Sequence, residues 1–304
     1  MKTHLSPRDL AQAIGVSESS IKRWANEGLI EVSRTAGGHR RILRAQAIRF
    51  VRLTNLPVVR PELLGFPEAS ATSALRADEQ AAEQALYDAL TKGDASTAQG
   101  LIHGPFLAGR PLAGLFDGLL GKALRRIGEL WQCRRDGIFI EHRATDICLQ
   151  AVMRIRLSLP APPADAPSAV GGTAPGDLHL LAGQVVSVVL HDLGLRAVNL
   201  GSQTSLLILP QAAEAHRAAL AWLSVTMGQA AEALLPDLAA CASALQDLNT
   251  RLVVGGQANE LLSSVRHANL TRGQDMAELA AFTHGLTGGA APAAEKRQGG
   301  IAMQ

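Results

Sequence analysis

The chain of 304 residues is poor in aromatic side chains, in cysteines and in long uncharged stretches. Only 3% of its residues are aromatic although 47% are hydrophobic, so Ala, Leu and Val build the cores, which favours closely packed helices. The three cysteines lack metal-ligand or disulfide-framework spacing, which indicates reduced thiols in a cytosolic protein. Without an apolar signal region or a stretch of membrane-spanning length, we expect a cytoplasmic protein that does not enter a membrane.

Charge is unevenly distributed along the chain. The net charge is only +2, but residues 1–60 hold 11 Lys/Arg against 4 Asp/Glu, whereas the remaining residues hold 18 against 23. A basic head on a neutral or acidic body favours a domain that binds a polyanion such as nucleic acid. The length of the chain suits two or three domains.

The basic head, residues 1–60, begins with two short helical patterns separated by a tight turn. Ser6-Pro7 has the composition of a helix start, and Ser17 provides a second N-cap after Gly15. In such a helix-turn-helix the second helix enters the major groove of DNA. The polar residues of that helix are the candidate DNA contacts, namely Ser19, Ser20, Lys22 and Arg23.

Two extended segments around Gly37-Gly38 follow, which predicts a hairpin whose basic side chains reach the phosphate backbone. Its candidate DNA-binding residues are Arg34, Thr35, His39, Arg40 and Arg41. Residues 43–53 predict a third helix. A small helical domain with a solvated basic face is the alternative interpretation, but the succession of helix, turn, helix and basic hairpin favours DNA binding over it.

The rest of the chain divides by composition and periodicity. Residues 61–76, rich in proline and small residues, predict a linker that lets the head move. Apolar residues at three- and four-residue spacing in 77–158 predict a four-helix bundle. A proline-rich linker over 159–167 precedes a further domain over 168–287, and the Gly- and Ala-rich residues 288–304 predict a disordered tail.

Residues 168–287 alternate short apolar strands with helices, which predicts an open parallel α/β sheet with a ligand crevice at the carboxyl ends of its strands. The loops at those ends hold Asp177, His179, Gly201, Ser224, Gly255 and Gly256. No GxGxxG follows the first strand, so a dinucleotide is not expected. The alternative interpretation of His179 is an ordinary histidine at the start of a helix.

Trp131 and the pair Glu141-His142 stand near helix ends in the bundle. From the residues alone they are more typical of packing and of solvated helix tips than of ligand contacts. The chain supplies neither an acid/base pair nor a nucleophile with its base, so no enzymatic activity is predicted.

Two sets of motifs resemble known families. The head, above all the run RTAGGHRR over 34–41, resembles the winged helix-turn-helix of MerR-type regulators. The later motifs are similar to the DxHxxG, SxL/SxT and GG pattern of Rossmann-like cobalamin-binding domains, and they are Gly176-Asp177-Leu178-His179, Gly201 with Thr204, Ser224-Val225-Thr226 and Gly255-Gly256. Head, bundle and α/β domain together resemble the light-sensing, cobalamin-dependent repressors of the CarH/LitR type.

The resemblance implies roles for individual residues. His179 is implied as the lower ligand of the cobalt in cobalamin, with Asp177 hydrogen-bonded to its other ring nitrogen. The displaced nucleotide tail of the cofactor is implied to meet Ser224 and Thr226, with space left by Gly255 and Gly256. Gly201 and Thr204 belong to the same site. The cap over the upper face of cobalamin is implied to contain Trp131, Glu141 and His142.

Adenosylcobalamin is the cofactor that the resemblance implies, and double-stranded operator DNA is the partner. It further implies a homo-oligomer such as a tetramer that holds DNA in the dark and releases it when light breaks the cobalt–carbon bond. The chain departs from the pattern at Ala182, where the motif has glycine, at Ser205, where a proline often follows the threonine, and at Gln132, where light-responsive members carry a histidine.

Two further hypotheses come from other functional classes. One is a MerR-type regulator with a degenerate sensor domain, which acts without cobalamin or through a partner protein. The other is a corrinoid carrier for a methyltransferase, against which the basic head argues because such a carrier has no use for groove-reading residues.

Overall fold

A computed structural model describes residues 3–70, 78–133 and 135–286, without the side chains of Gln132 and Cys133. The chain forms two compact units, Met1–Pro160 and Ala161–Gln304, and each has its own core. Cys148 and Cys241 are buried free thiols. No helix in the described ranges has the length and apolar character needed to cross a bilayer. The tail expected over 288–304 lies outside the described residues.

The first unit starts with two capped helices against a small antiparallel sheet of order β1-β3-β2. Ser6 and Asp9 form a capping box at the first helix, and the hydroxyl of Ser17 accepts a hydrogen bond from the Ser20 amide at the second. The elements are β1 (His4–Leu5), α1 (Pro7–Ile14), α2 (Glu18–Asn26), β2 (Ser33–Arg34), β3 (Arg40–Leu43) and α3 (Arg44–Thr54).

Helices make up the remainder of the first unit, as the periodicity of the sequence predicts. The helix expected from Pro111 is divided by a π-helical turn, and the last helix begins three residues before the expected Ile140. The elements are α4 (Glu79–Lys92), α5 (Ala95–Leu107), α6 (Leu112–Gly114), the π-helical turn (Leu115–Leu120), α7 (Gly121–Cys133) and α8 (Gly137–Ser158).

Residues 61–70 are not a flexible linker, which corrects the expectation for 61–76. They form two 3-10 helices, Pro61–Leu64 and Pro67–Ser70, and each of the two prolines starts one of these turns. The side chains of Leu64, Phe66 and Ala69 are fully buried. The head therefore continues into the helices without a flexible stretch here, and residues 71–77 lie outside the described residues.

Arg154 of α8 holds this segment in place. Its guanidinium donates hydrogen bonds to Glu68 Oε1 at 2.8 Å and to the Gly65 carbonyl at 2.6 Å, and it lies 5.5 Å from the centroid of the Phe66 ring. Phe66 packs edge-on against His103, with 4.9 Å between ring centroids. Burial lowers the pKa of His103 to about 4, so this imidazole is neutral at pH 7.

The second unit is a five-stranded, entirely parallel sheet of order β5-β4-β6-β7-β8 flanked by helices, which confirms the predicted parallel α/β architecture. Its elements are β4 (Ser168–Thr173), α9 (Leu180–Asp192), β5 (Arg196–Asn199), α10 (Ile208–His216), β6 (Ala218–Ser224), α11 (Gly228–Leu234), α12 (Leu238–Asp247), β7 (Arg251–Gly255), a 3-10 helix (Asn259–Leu262), β8 (Leu270–Arg272) and α13 (Met276–Leu286).

Sequence reasoning missed β8 and α13, and it joined α11 and α12 into one helix although Pro236 separates them. Alternate residues of β6 serve the two faces of the sheet, because side chains alternate along a strand. Ala221 and Leu223 pack in one apolar cluster, and Leu220 and Trp222 pack in the other with α9 and α13.

Replacement of Phe66 by alanine is expected to lower the free energy of unfolding of the first unit by about 3–5 kcal/mol, because it leaves a cavity beside His103 and Phe106. Val59→Ala is the control, since Val59 is 57% exposed and such a change is worth less than about 0.5 kcal/mol. Amide hydrogen exchange in α5 of the full chain measures both effects. Equal exchange rates in the two variants would show that residues 61–70 are a tether after all.

Candidate functional site

The loops after four neighbouring strands of the second unit meet at the carboxyl edge of its sheet, since all five strands are parallel. The structure thereby brings the predicted site residues of this unit to one edge. They are Asp177 and His179 after β4, Gly201 and Thr204 after β5, Ser224 and Thr226 at the end of β6, and Gly255 and Gly256 at the end of β7.

Asp177 is fully buried and fixes the ring of His179. Its Oδ1 accepts a hydrogen bond from the His179 amide at 3.0 Å and lies 2.8 Å from His179 Nδ1. Its Oδ2 accepts hydrogen bonds from the amides of Thr226 and Met227. A proton on Nδ1 that is directed at this carboxylate places the lone pair of the neutral imidazole on Nε2.

The hydrogen bonds also determine the ionisation of Asp177. Burial alone would raise its pKa, but the bonds from the side chain and amide of His179 and from the Thr226 amide outweigh burial and hold the pKa below the usual value of 3.8. Asp177 is therefore a carboxylate at neutral pH, and it bridges the loops after β4 and β6.

The side chain of His179 is 42% exposed, and the loops and helix starts at the same edge expose large apolar side chains. Six of them are between 40% and 81% exposed and form what we call the apolar rim: Leu178, Leu180, Leu207, Ile208, Met227 and Leu261. Apolar side chains grouped in this way are typical of ligand-binding surfaces. Sequence reasoning missed the rim, although Leu178 and Leu180 directly flank the histidine.

Gly201 and Thr204 tie the loop after β5 to the end of β4. The Thr173 amide donates to the Gly201 carbonyl at 2.8 Å, and the Thr204 amide donates to the Thr173 carbonyl at 2.8 Å. Thr204 Oγ1 donates to the Gly201 carbonyl at 3.2 Å, and Thr204 is buried. Both residues thus have a structural role at this edge.

Gly256 is explained by the chain itself. Its φ of +107° is in the left-handed region, and a Cβ there would lie 2.3 Å from the carbonyl oxygen of Val225. The Val225 amide donates to the Gly255 carbonyl at 2.7 Å, so the loops after β6 and β7 run in close contact. Close approach of the backbone is a sufficient reason for this glycine, in addition to the space that a ligand would need.

A narrow cavity, which we call the slot, lies at the same edge among β6, β7, α9 and α13 and has a volume of about 60 Å³. Its walls include Ala182, Trp222, Ser224, Gly255, Gly256 and Leu279. Trp222 is 1% exposed, and its indole Nε1 has no hydrogen-bond partner among the described residues. The methyl group of Ala182 is therefore one part of a wall that contains a much larger indole.

The predicted cap residues belong to the first unit. Trp131, at the end of α7, is 52% exposed, so it is not the packing residue that its type alone suggests. In α8 the His142 side chain is 70% exposed, and Glu141 is mostly buried with its Oε1 accepting a hydrogen bond from Thr145 Oγ1 at 2.8 Å. The nearby Phe139 is 62% exposed. The side chain of Gln132 lies outside the described part of the chain.

In the head, all nine predicted DNA contacts are at least partly exposed: Ser19, Ser20, Lys22, Arg23, Arg34, Thr35, His39, Arg40 and Arg41. Arg40 also has an internal role, because it donates to the Lys22 carbonyl at 3.1 Å and to Asn26 Oδ1 at 2.7 Å. It thereby braces β3 against α2. Lys22 forms an exposed ion pair with Glu18 at 2.7 Å.

Comparison with protein families assigns two parts of the chain. Residues 6–42 match the MerR family regulatory protein, and residues 74–156 match the B12 binding domain. The chain thus joins a MerR-type DNA-binding domain to a B12-binding domain, which is the architecture of a MerR-type regulator linked to cobalamin. The B12-binding match covers helices α4 to α7 and all but the last two residues of α8, and it includes Trp131, Glu141 and His142. No curated protein sequence matches.

Several solved structures are similar to the chain. The Methanosarcina barkeri monomethylamine corrinoid protein is 16% identical, with 65% of this chain and 94% of that one covered and a TM-score of 0.49. A novel cobalamin-binding protein from Desulfitobacterium hafniense DCB-2 is 18% identical, with 73% of this chain and 97% of that one covered and a TM-score of 0.33. The methanol:cobalamin methyltransferase complex MtaBC from Methanosarcina barkeri is 17% identical, with 92% of this chain and 96% of that one covered and a TM-score of 0.37.

The lowered pKa of Asp177 predicts a pH-dependent contribution to stability. A carboxylate whose pKa is lower in the folded than in the unfolded state stabilises the fold above the unfolded value, and this contribution is lost as pH falls. We expect Asp177→Asn to be less stable than the natural chain at pH 7 and to lose less stability between about pH 5 and pH 3. Thermal unfolding across that range is the measurement, with exposed Asp165→Asn as the matched control. Parallel pH profiles for the natural chain and Asp177→Asn would contradict the assignment.

Proposed function

We propose that the chain is a transcriptional repressor whose hold on operator DNA is controlled by cobalamin, with adenosylcobalamin as the natural form. The observation that carries the proposal is the half-exposed His179, fixed through Nδ1 by the buried carboxylate of Asp177 and set in the apolar rim. Metal-bound histidines are commonly held by a carboxylate in this way. The MerR-type head and the B12-binding match support the link to DNA and to cobalamin.

The side-chain donors at this edge suit a metal ion whose other ligands belong to its own cofactor. In the part of the chain that the structure describes, no group of three or more His, Cys, Asp or Glu side chains is arranged to hold a metal ion. A single imidazole would be sufficient to hold the cobalt of a corrinoid, because the corrin ring supplies nitrogen ligands of its own. We assign His179 Nε2 as the lower ligand, Asp177 as the residue that orients it, and the apolar rim as the surface against the corrin.

Further contacts are proposed on the strength of the resemblance. Gly201, Thr204, Ser224, Thr226, Gly255 and Gly256 surround the same edge of the sheet. Trp131, Glu141 and His142 are assigned to the upper face of the cofactor, and the exposure of Trp131 and Phe139 supports a ligand-binding surface there. When bound, adenosylcobalamin supplies a light-sensitive cobalt–carbon bond, which is the chemistry that a light response requires.

For the head we propose a winged helix-turn-helix with α2 in the major groove and the β2-β3 hairpin on the phosphate backbone. Arg23, Arg34 and Arg41 are exposed and suited to phosphate or base contacts, whereas Arg40 positions the hairpin. Helices α4 to α8 are proposed as a four-helix bundle, in which α6, the π-helical turn and α7 count as one helix. Assembly into a homo-oligomer such as a tetramer is proposed as the response to the cofactor.

Mixing the purified chain with adenosylcobalamin in the dark is expected to shift the visible spectrum of the cofactor and to increase the assembly size. His179→Ala should abolish the shift because it removes the cobalt ligand, and Asp177→Asn should weaken binding by about 10–100-fold. His216→Ala, on the exposed end of α10, is the control. Visible spectra with size-exclusion chromatography provide both readouts.

A chain that leaves the spectrum and its own size unchanged would refute the cobalamin proposal. The favoured function would then be a regulator that acts as an apoprotein. The small volume of the slot is the observation that supports this second candidate.

Arg41→Ala is expected to weaken operator binding and to reduce the slope of log affinity against log salt by about one, because one phosphate contact is lost. Arg217→Ala changes an exposed arginine of the second unit and is the charge-matched control. Fluorescence anisotropy with operator DNA at several salt concentrations measures both slopes. Affinity that does not vary with salt would argue against the proposed role of the hairpin.

A further inference from the structure

We infer that Trp222 closes the slot to a nucleotide base, so that the site binds a corrinoid without that base at least as tightly as complete cobalamin. The inference rests on the proposed function, and it names the class of corrinoid that the site accepts. It makes Trp222 a residue that determines specificity, although its position within a buried strand gives no sign of such a role.

Coordination of the cobalt by His179 would displace the nucleotide base of the cofactor, and Trp222 lies where that base would go. In complete cobalamin a nucleotide base on a flexible tail can occupy the lower position of the cobalt. If the imidazole of His179 takes that position, the base must move elsewhere. The slot is the neighbouring cavity at the same edge, and Ser224, Gly255 and Gly256, which resemble the residues that receive the tail, line it.

The slot is too small for such a base. Its volume is about 60 Å³. An apolar cavity that takes up a single benzene ring measures about 150 Å³. The base of cobalamin has two fused rings, so it needs more room than benzene does. The imidazole and carboxylate at His179 and Asp177 fit the cobalt, whereas the slot does not fit the tail.

Trp222 is the side chain that fills this space. It is 1% exposed and packs in an apolar cluster with Val186 of α9 and Leu279 of α13, both of which also line the slot. On its other side lies β4, where a Cβ added to Gly171 would be 2.4 Å from the indole ring. The ring therefore lies directly on the backbone of β4 and has no space to withdraw in that direction.

An indole at this position also destabilises the fold more than a purely apolar side chain would. Its Nε1 is buried with no hydrogen-bond partner among the described residues, and an unsatisfied buried donor destabilises the fold. Phenylalanine or leucine would fill the same apolar cluster without this penalty. Packing alone thus explains an apolar residue here, but it does not explain tryptophan.

The experiment compares adenosylcobalamin with adenosylcobinamide, which lacks the nucleotide base, by titration of the full chain in the dark with visible spectra as the readout. For the natural chain, we expect the two dissociation constants to agree within about threefold or to favour the cobinamide. Trp222→Leu opens the slot, so it should bind the complete cofactor about tenfold or more tightly than the cobinamide, because the base then buries apolar surface.

Two further variants make the result decisive. Leu279→Ala opens the slot from α13 while leaving the indole, and it provides the test if Trp222→Leu does not fold, as judged by circular dichroism. Leu190→Ala disturbs the same apolar cluster without touching the slot, so its preference should equal that of the natural chain. A natural chain that prefers complete cobalamin by tenfold overturns the inference and leaves the proposed function intact. Unchanged preference in both slot variants overturns the role of Trp222. Absence of binding by either corrinoid overturns the proposed function itself.

Discussion

The hydrogen bonds of the Asp177 carboxylate hold together two loops at the carboxyl edge of the sheet in the second unit. One oxygen fixes the amide and ring of His179, and the other accepts from the amides of Thr226 and Met227 on the neighbouring loop. A buried charge is tolerated only when it is paired or hydrogen-bonded, so the loops and the carboxylate require each other. The bonds that keep this loop folded also leave the lone pair of the neutral His179 imidazole on Nε2.

The first unit has a partly buried polar contact of its own, made by Arg154. Helix α8 has 22 residues and is therefore about 33 Å long. Glu141 and His142 lie near its start, and Arg154, near its end, holds Glu68 and the carbonyl of Gly65. The two ends of α8 therefore carry the proposed cap residues and the contact that fixes residues 65–68. The contact fixes residues 65–68, which belong to the stretch whose proline content suggests a flexible tether.

Sequence alone could predict features that depend on neighbours in the chain. Asp177 and His179 can be predicted because they stand two positions apart directly before a helical pattern, and the strands because apolar runs alternate with helical patterns. Features that depend on distant packing could not be found in this way. The prolines at 61 and 67 look the same in a tether as in two buried 3-10 turns, and only the contacts of Phe66 and Arg154 decide between them.

Volume is the other property that the sequence does not reveal. Sequence comparison directs attention to Ala182, where one methyl group replaces a hydrogen, yet the same wall contains the whole indole of Trp222. That indole fits because β4 has glycine at 171, opposite Trp222 in the register of the parallel pair, where any side chain would collide with it. Glycine at 171 and tryptophan at 222 therefore form a complementary pair within the sheet. Selectivity for the ligand would then be determined by the packing of two buried strands, while the loops supply the residue that binds the metal.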